Sequence, residues 1–179
     1  TEPPIVKLAD FGLSMFNVNN NGNPKNLTHS AGTPMYMSPQ VLLWKAYRKE
    51  TDIFSLGLLF YRILTGQDVY TASGKINSKM GLNSAMRSAM SSNNKTLKNP
   101  SLRGKNGWET NTGSLSDNTK SLLEKMLKFD RKERITIQEV RKHIFFNETI
   151  NKNALISIPR DTLVTNLCTG EVERINASF

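Results

Sequence analysis

The run from Ile53 to Leu64 restricts the possible folds more than any other part of the chain. Ile53, Phe54, Leu56, Leu58, Leu59, Phe60, Ile63 and Leu64 occupy most of the circumference of a helix predicted over 51–65. A helix apolar nearly all round must be buried on nearly all sides. Gly66 stands where such a helix would stop. Ser55, Gly57 and Arg62 interrupt the run, which is also shorter than the ~18 apolar residues a membrane-spanning helix needs. With 179 residues, the chain can enclose such a helix within one domain or a large piece of one.

The flanking segments supply its covering. Ile5-Val6-Lys7-Leu8-Ala9 alternates loosely and predicts a short strand ending at Asp10. Gly12 to Pro39 is polar and turn-rich, a long loop without periodicity, and loops of that length are usually functional or disordered. Between Thr71 and Gly113, Ile76, Met80, Leu82, Met86 and Met90 suggest a short amphipathic helix followed by a Ser/Asn/Lys/Gly-rich loop. Leu122, Leu123, Met126 and Leu127 form an apolar stripe on a helix predicted over 116–129. Thr136-Ile137-Gln138-Glu139 is a capping box that opens a helix carrying Val140 and Ile144 on one face. After Asn151 the pattern decays, and Pro159 argues against another long helix.

Hydrophobic residues make up 37% of the chain and charged residues 22%, which excludes a highly charged disordered chain. The lone cysteine, Cys168, allows no intrachain disulfide, and with only His29 and His143 beside it a zinc cluster is not expected. That favours a reducing, intracellular compartment, cytoplasmic or nuclear. The formal net charge is +9. Residues 71–115 carry 7 basic side chains against 1 acidic one, either as a solvated loop surface or as a docking patch for an acidic partner. Nucleic acid is not the expected partner, because Trp108 is the only aromatic residue in that segment and stacking platforms are missing. Thr1-Glu2-Pro3-Pro4 has neither a methionine nor a leader pattern. The chain is therefore expected to be cut from a longer protein, whose upstream targeting signals would not be visible in it.

Chemistry enters with Asp10-Phe11-Gly12, directly after the predicted strand. A carboxylate at a strand end, followed by a flexible glycine, can present a hard oxygen ligand to Mg²⁺. The triplet alone is weak evidence, since Asp-x-Gly turns are common. It is followed, in order, by Gly32-Thr33-Pro34-Met35-Tyr36-Met37-Ser38-Pro39-Gln40, by Asp52-Ile53-Phe54-Ser55-Leu56-Gly57, and by Met126-Leu127-Lys128-Phe129-Asp130-Arg131-Lys132-Glu133-Arg134-Ile135-Thr136. This ordered set resembles the helical C-terminal lobe of a eukaryotic protein kinase of the serine/threonine type, from just before the metal-binding triplet onward, over about residues 5–146.

The resemblance implies a mainly α, protein-kinase-like C-terminal lobe. Residues 1–150 would form a partial kinase domain with its activation segment at 10–40, and 151–179 a C-terminal extension. It implies ATP and Mg²⁺ as cofactors of the intact protein and protein Ser/Thr hydroxyls as substrates. Asp10 would hold the metal, Phe11 would pack beneath it, and Gly12 would complete the nucleotide-side triplet. Thr33 would bridge to the catalytic loop, and a plain β-turn at Thr33-Pro34 is compatible with that role. Tyr36, Met37 and Pro39 would shape the pocket beside the phosphoacceptor. Thr28 and Ser30 stand where an activating phosphate is often carried. Asp52 would accept hydrogen bonds from the catalytic loop, or serve simply as a carboxylate favoured by the helix dipole. Arg134 matches the family's buried arginine, whose usual partner is a glutamate.

Position 40 carries Gln instead of that glutamate. A Gln–Arg hydrogen bond keeps the contact but loses the charge pairing. Phe54 replaces a commoner tryptophan, and Asp68-Val69-Tyr70 departs from the usual sequence after Gly66. There is no Gly-x-Gly pair, no Val-Ala-Ile-Lys and no His-Arg-Asp. The nucleotide-covering loop, the phosphate-binding lysine and the catalytic aspartate would all precede Thr1. The isolated chain is accordingly expected to be inactive, to bind ATP negligibly, and to expose apolar surface meant for the rest of the domain. A pseudokinase-like binding or scaffolding module is the competing reading.

Overall fold

A computed structural model describes residues 5–70, 79–91, 107–149, 163–165 and 172–174. Their elements are α1 (Pro39–Leu42), α2 (Glu50–Thr65), α3 (Lys79–Ser91), α4 (Gly107–Thr112), α5 (Asp117–Met126), α6 (Ile137–Arg141), α7 (Ile144–Thr149) and two short strands, β1 (Leu163–Thr165) and β2 (Val172–Arg174). The strands pair antiparallel, with Val164 opposite Glu173. The described chain is mainly helical, as the kinase-lobe reading implies.

The central helix α2 packs chiefly against α5, which in turn meets α7, while α1 lies against α3. Phe54, Gly57, Leu58 and Tyr61, spaced i, i+3, i+4, i+7, form the buried face of α2. Gly57 is where α2 and α5 come closest: a Cβ there would lie 3.0 Å from Met126 Cβ and 2.8 Å from Leu127 Cδ2. The same core holds Leu82, Met86, Leu122, Leu123 and Phe129. Tyr61 stacks on Trp108 with ring centroids 5.6 Å apart, so the tryptophan that the sequence places in a basic loop is a core residue on α4. Gly66 ends α2 with φ 68°, and its N–H donates to the Arg62 carbonyl at 2.8 Å, a left-handed cap that glycine adopts without a Cβ penalty.

Several expectations are corrected. The α2 helix is not buried on nearly all sides: Leu56 and Leu59 are each 44% exposed and Ile63 is 70% exposed. With Asp52 they form a second stripe at i, i+4, i+7, i+11, which no described element covers. Periodicity counts how much of a helix is apolar but does not say which neighbour covers each face. Residues 5–10 form no strand, and Ile5, Val6 and Leu8 are exposed. A strand needs a ladder partner, and none of the described residues runs beside this segment.

The loop at 12–39 has more order than its composition suggests. Val18 bridges to Pro24, Leu27 bridges to Tyr47, and Pro34–Tyr36 forms a 3₁₀ turn. The helix predicted from the capping box breaks after Arg141 and restarts at Ile144. Val140 is therefore buried while Ile144 is largely exposed. The capping box itself forms: Thr136 Oγ1 accepts from Glu139 N at 3.3 Å, and Glu139 Oε2 accepts from Thr136 N at 2.7 Å. Met80 faces solvent, whereas Leu82 and Met86 are buried. Ile76, most of the basic 71–115 segment, and Pro159 and Cys168 in the extension lie outside the described residues.

Candidate functional site

One cleft of about 600 Å³ collects the sequence's candidate residues: Asp10, Thr33, Tyr36, Met37 and Asp52 all line it. Its floor is the start of α2 and its walls are the turn-rich 10–37 segment. Asp10 has φ 61°, a left-handed conformation that Asp tolerates better than most residues. This reverses the chain so that a residue next to an exposed segment contributes to the cleft. Among the described residues no hydrogen bond or ion pair engages the Asp10 carboxylate. A Cβ on Gly12 would sit 3.4 Å from Asp10 Oδ1, so the glycine leaves the carboxylate room on that side.

Thr33 closes the 3₁₀ turn through its carbonyl, which accepts from Tyr36 N at 3.0 Å. Its hydroxyl makes no cap bond and stays at the cleft surface. Met37 is buried, and Tyr36 is half-buried with its carbonyl accepting from Ser55 Oγ at 2.7 Å. Burial raises the Asp52 carboxyl above the usual range, although much of the residue remains open to solvent. Phe11 is 60% exposed. Pro39 is buried in the first turn of α1 rather than in the cleft.

Thr28 is exposed and Ser30 half-buried, with Ser30 Oγ directed at Met37 Sδ 4.0 Å away. Between them the His29 carbonyl accepts from Tyr47 Oη at 2.6 Å. Arg48 Nε donates to Asn26 Oδ1 at 2.7 Å, and Leu27 and Tyr47 exchange both main-chain hydrogen bonds at 2.9 Å. Sequence reasoning did not single out Tyr47, Arg48, Ser38, Thr51 or Ser55. The last three fasten the Thr33–Leu42 strip to α2: Ser38, fully buried, lies 3.1 Å from Thr51 by its hydroxyl, and Ser55 holds Tyr36. Only pairwise contacts identify such residues, because Ser, Thr and Tyr carry no periodic signal at these positions.

Gln40 and Arg134 meet in the core beneath the strip. Arg134 NH2 donates to Gln40 Oε1 at 3.1 Å and Gln40 Nε2 donates to the Phe129 carbonyl at 2.6 Å. The guanidinium also donates to the carbonyls of Glu50 at 2.7 Å and Lys128 at 3.0 Å, and lies 4.8 Å above the Phe54 ring. Burial pulls its pKa down to about 10, so it remains charged at neutral pH.

Mg²⁺ is usually held by one or two carboxylates together with substrate phosphates and water, not by a dedicated protein cage. The free carboxylate of Asp10 in an open cleft fits that donor set. No group of three or more His, Cys, Asp or Glu side chains among the described residues offers an alternative cage.

The sequence model of the protein kinase domain matches residues 1–146. The chain belongs to the protein kinase family. Among its relatives, calcium-dependent protein kinase 5 of Plasmodium falciparum is 29% identical over 157 residues, covering 88% of this chain and 24% of that protein. Serine/threonine protein kinase OSK3 of Oryza sativa is 32% identical over 142 residues, 79% of this chain and 23% of its own length. The SNF1-related protein kinase catalytic subunit alpha KIN12 of Arabidopsis thaliana is 30% identical over 142 residues, 79% and 24% respectively. The chain thus spans about a quarter or less of the length of the curated relatives it matches. Among the described residues of this kinase-family chain, no helix is long and apolar enough to cross a membrane.

Proposed function

We propose that this chain is the C-terminal lobe of a serine/threonine protein kinase that transfers the γ-phosphoryl group of Mg·ATP to protein Ser or Thr hydroxyls. The observation that carries the proposal is the convergence of Asp10, Thr33, Tyr36 and Asp52 on one cleft, in a chain whose family performs that chemistry. Residues 1–150 then form the partial kinase domain and 151–179 an extension, and the protein acts inside the cell.

Bound Mg²⁺ would neutralise charge on the phosphates, and Asp10, with Gly12 leaving it room, is the residue to hold it. The chain's own residues otherwise position. Thr33 offers an unengaged hydroxyl toward the cleft, where it can pair with groups of the catalytic loop. Tyr36 and Met37, locked by Ser55 and by burial, present a fixed edge for the acceptor peptide. Thr28 and Ser30 are candidate phosphorylation sites on the segment that Tyr47 and Arg48 tie down. Asp52, raised by burial, accepts hydrogen bonds readily at the cleft floor. Positioning and electrostatics of this kind supply most of the catalysis in phosphoryl transfer.

Gln40 favours a second reading, a pseudokinase-like scaffold, since the charge usually paired with Arg134 is absent from position 40. The full-length protein decides between them when incubated with Mg²⁺, γ-labelled ATP and Ser-, Thr- and Tyr-containing peptide mixtures. Label on Ser or Thr supports the kinase; label on Tyr alone corrects the substrate class; no label favours the scaffold. The isolated 179 residues should bind Mg·ATP negligibly, and micromolar binding by calorimetry would overturn that expectation.

A further inference from the structure

Arg134 is buried and charged, yet every acceptor it touches among the described residues is neutral. Its partners are the carbonyls of Lys128, Glu50 and Phe129 and the Gln40 carboxamide. Dipoles alone offset only part of the cost of burying a full charge. The residue whose carbonyl takes the NH1 hydrogen, Glu50, also carries a side-chain oxygen, Oε2, that is sealed from solvent and has no hydrogen-bond partner. An orphaned carboxylate oxygen in a protein interior calls for an explanation, and the buried guanidinium nearby supplies one.

We propose that Glu50, in the first turn of α2, is a positioning residue that supplies the negative charge opposing Arg134 in place of a carboxylate at position 40, and thereby holds α1 and the Thr33–Leu42 strip against α2. No direct ion pair joins the two among the described residues. Glu50 is half-buried and Arg134 buried, so the attraction is only partly screened and acts over more than contact distance. Burial depresses the Arg134 pKa, and Glu50 is foremost among the groups that push it back up, ahead of Tyr70 and Asp130.

The other two candidates are weaker. Asp130 is exposed and its Oδ1 is taken by the N–H of Lys132 at 2.9 Å. Tyr70 is fully buried and its oxygen is also unpartnered, but burial raises its pKa and keeps it neutral. A simpler role for Glu50 exists as well: an acid in the first turn of a helix favours the dipole. The two roles separate cleanly. Only the counter-charge role predicts that a carboxylate placed at position 40, where Gln40 already touches the guanidinium, stabilises more when Glu50 has been lost than when it is present.

The link to the substrate strip rests on the kinase reading, but the test does not. In the 179-residue chain, E50Q, Q40E, Q40E/E50Q and D130N are compared by thermal unfolding and by amide hydrogen exchange at Leu42 and Leu43, whose N–H groups close α1. E50Q should lower the melting midpoint by roughly 2–4 °C for a chain of this size and speed exchange in α1 at least about tenfold, while D130N changes neither. Q40E should raise the midpoint and slow α1 exchange more in the E50Q background than in the parent, so that the double variant recovers at least half of both losses. A stable E50Q, or a gain from Q40E that is the same in both backgrounds, would overturn the proposal. If E50Q does not fold, the same four variants are compared in a background stabilised elsewhere, and equal gains from Q40E refute the counter-charge role. None of these readouts needs ATP, so a full-length protein that transfers no phosphate would sink the kinase reading while leaving this result intact.

Discussion

Replacing Gly57 by alanine sets helix propensity against packing. In an exposed helix interior the change would stabilise by about 1 kcal/mol. Here the new Cβ would meet Leu127 Cδ2 at 2.8 Å, Met126 Cβ at 3.0 Å and Leu127 Cγ at 3.1 Å. The Cδ2 methyl can rotate away. Met126 Cβ is fixed to the α5 backbone and both side chains are buried, so α2 and α5 must separate by a few tenths of an ångström. Overpacking of this kind costs about 1–3 kcal/mol, which leaves a net loss of roughly 1 kcal/mol after the propensity gain. For a chain of this length that is a fall of about 2–4 °C in melting midpoint. Gly57→Val, larger and β-branched, should fall further. Circular dichroism melts of the two variants beside the parent chain measure both effects. A Gly57→Ala midpoint above the parent's would show that α2 and α5 are not in close contact at this point, and the packing argument would fail.

Other perturbations have equally definite expected outcomes. Thr136→Ala removes the cap and the hydroxyl half of the capping box, and should cost about 1 kcal/mol, visible as a midpoint lowered by about 2–4 °C; an unchanged midpoint would show that the box contributes nothing. His143 Nδ1 accepts from Phe145 N at 3.3 Å, and burial, then Lys125, lowers its pKa. The unfolded state therefore binds the proton first, so stability from this residue is present above the ordinary histidine pKa near 6.5 and is lost as pH falls below it. The midpoint of the parent chain should drop between pH 7.5 and 5.5 more than that of His143→Gln, and equal slopes would contradict the assignment. Ile63→Gln lies on the uncovered stripe of α2 and should move the midpoint by less than about 2 °C while reducing binding of a hydrophobic dye; a large destabilisation would mean that this face is covered.

What could be read from the sequence follows from the range of each interaction. The α5 stripe, the Thr136–Glu139 box and the Gly66 stop depend on neighbours within one or two turns, and each forms as expected. The family was legible because four motifs keep their order over more than a hundred residues, a constraint that chance loops do not meet. The coverage of α2 was not legible. Leu56, Leu59 and Ile63 are as apolar as Phe54 and Leu58, and only the position of α5 distinguishes the faces. The 5–10 strand failed for a related reason, because β-propensity cannot form a ladder without a partner.

At the site, the types of Asp10, Thr33 and Asp52 were informative, whereas their common cleft depends on the left-handed turn at Asp10 and on the Leu27–Tyr47 bridge. Neither leaves a pattern in the residues. Gln40 was the instructive departure. The resemblance implied that a charge was missing opposite Arg134, but only the tertiary structure brings the Glu50 backbone, far off in sequence, to its side.

The central claim is that Asp10 is the metal-holding carboxylate of a phosphoryl-transfer site. It is tested most directly by the initial rate of γ-phosphoryl transfer to a Ser/Thr peptide, measured for the full-length protein and its Asp10→Asn variant at saturating Mg·ATP. The account predicts a loss of about 10²–10³-fold or more in the variant, with its melting midpoint unchanged because no hydrogen bond or ion pair from the described residues engages the carboxylate. A variant that turns over at close to the parent rate would contradict it.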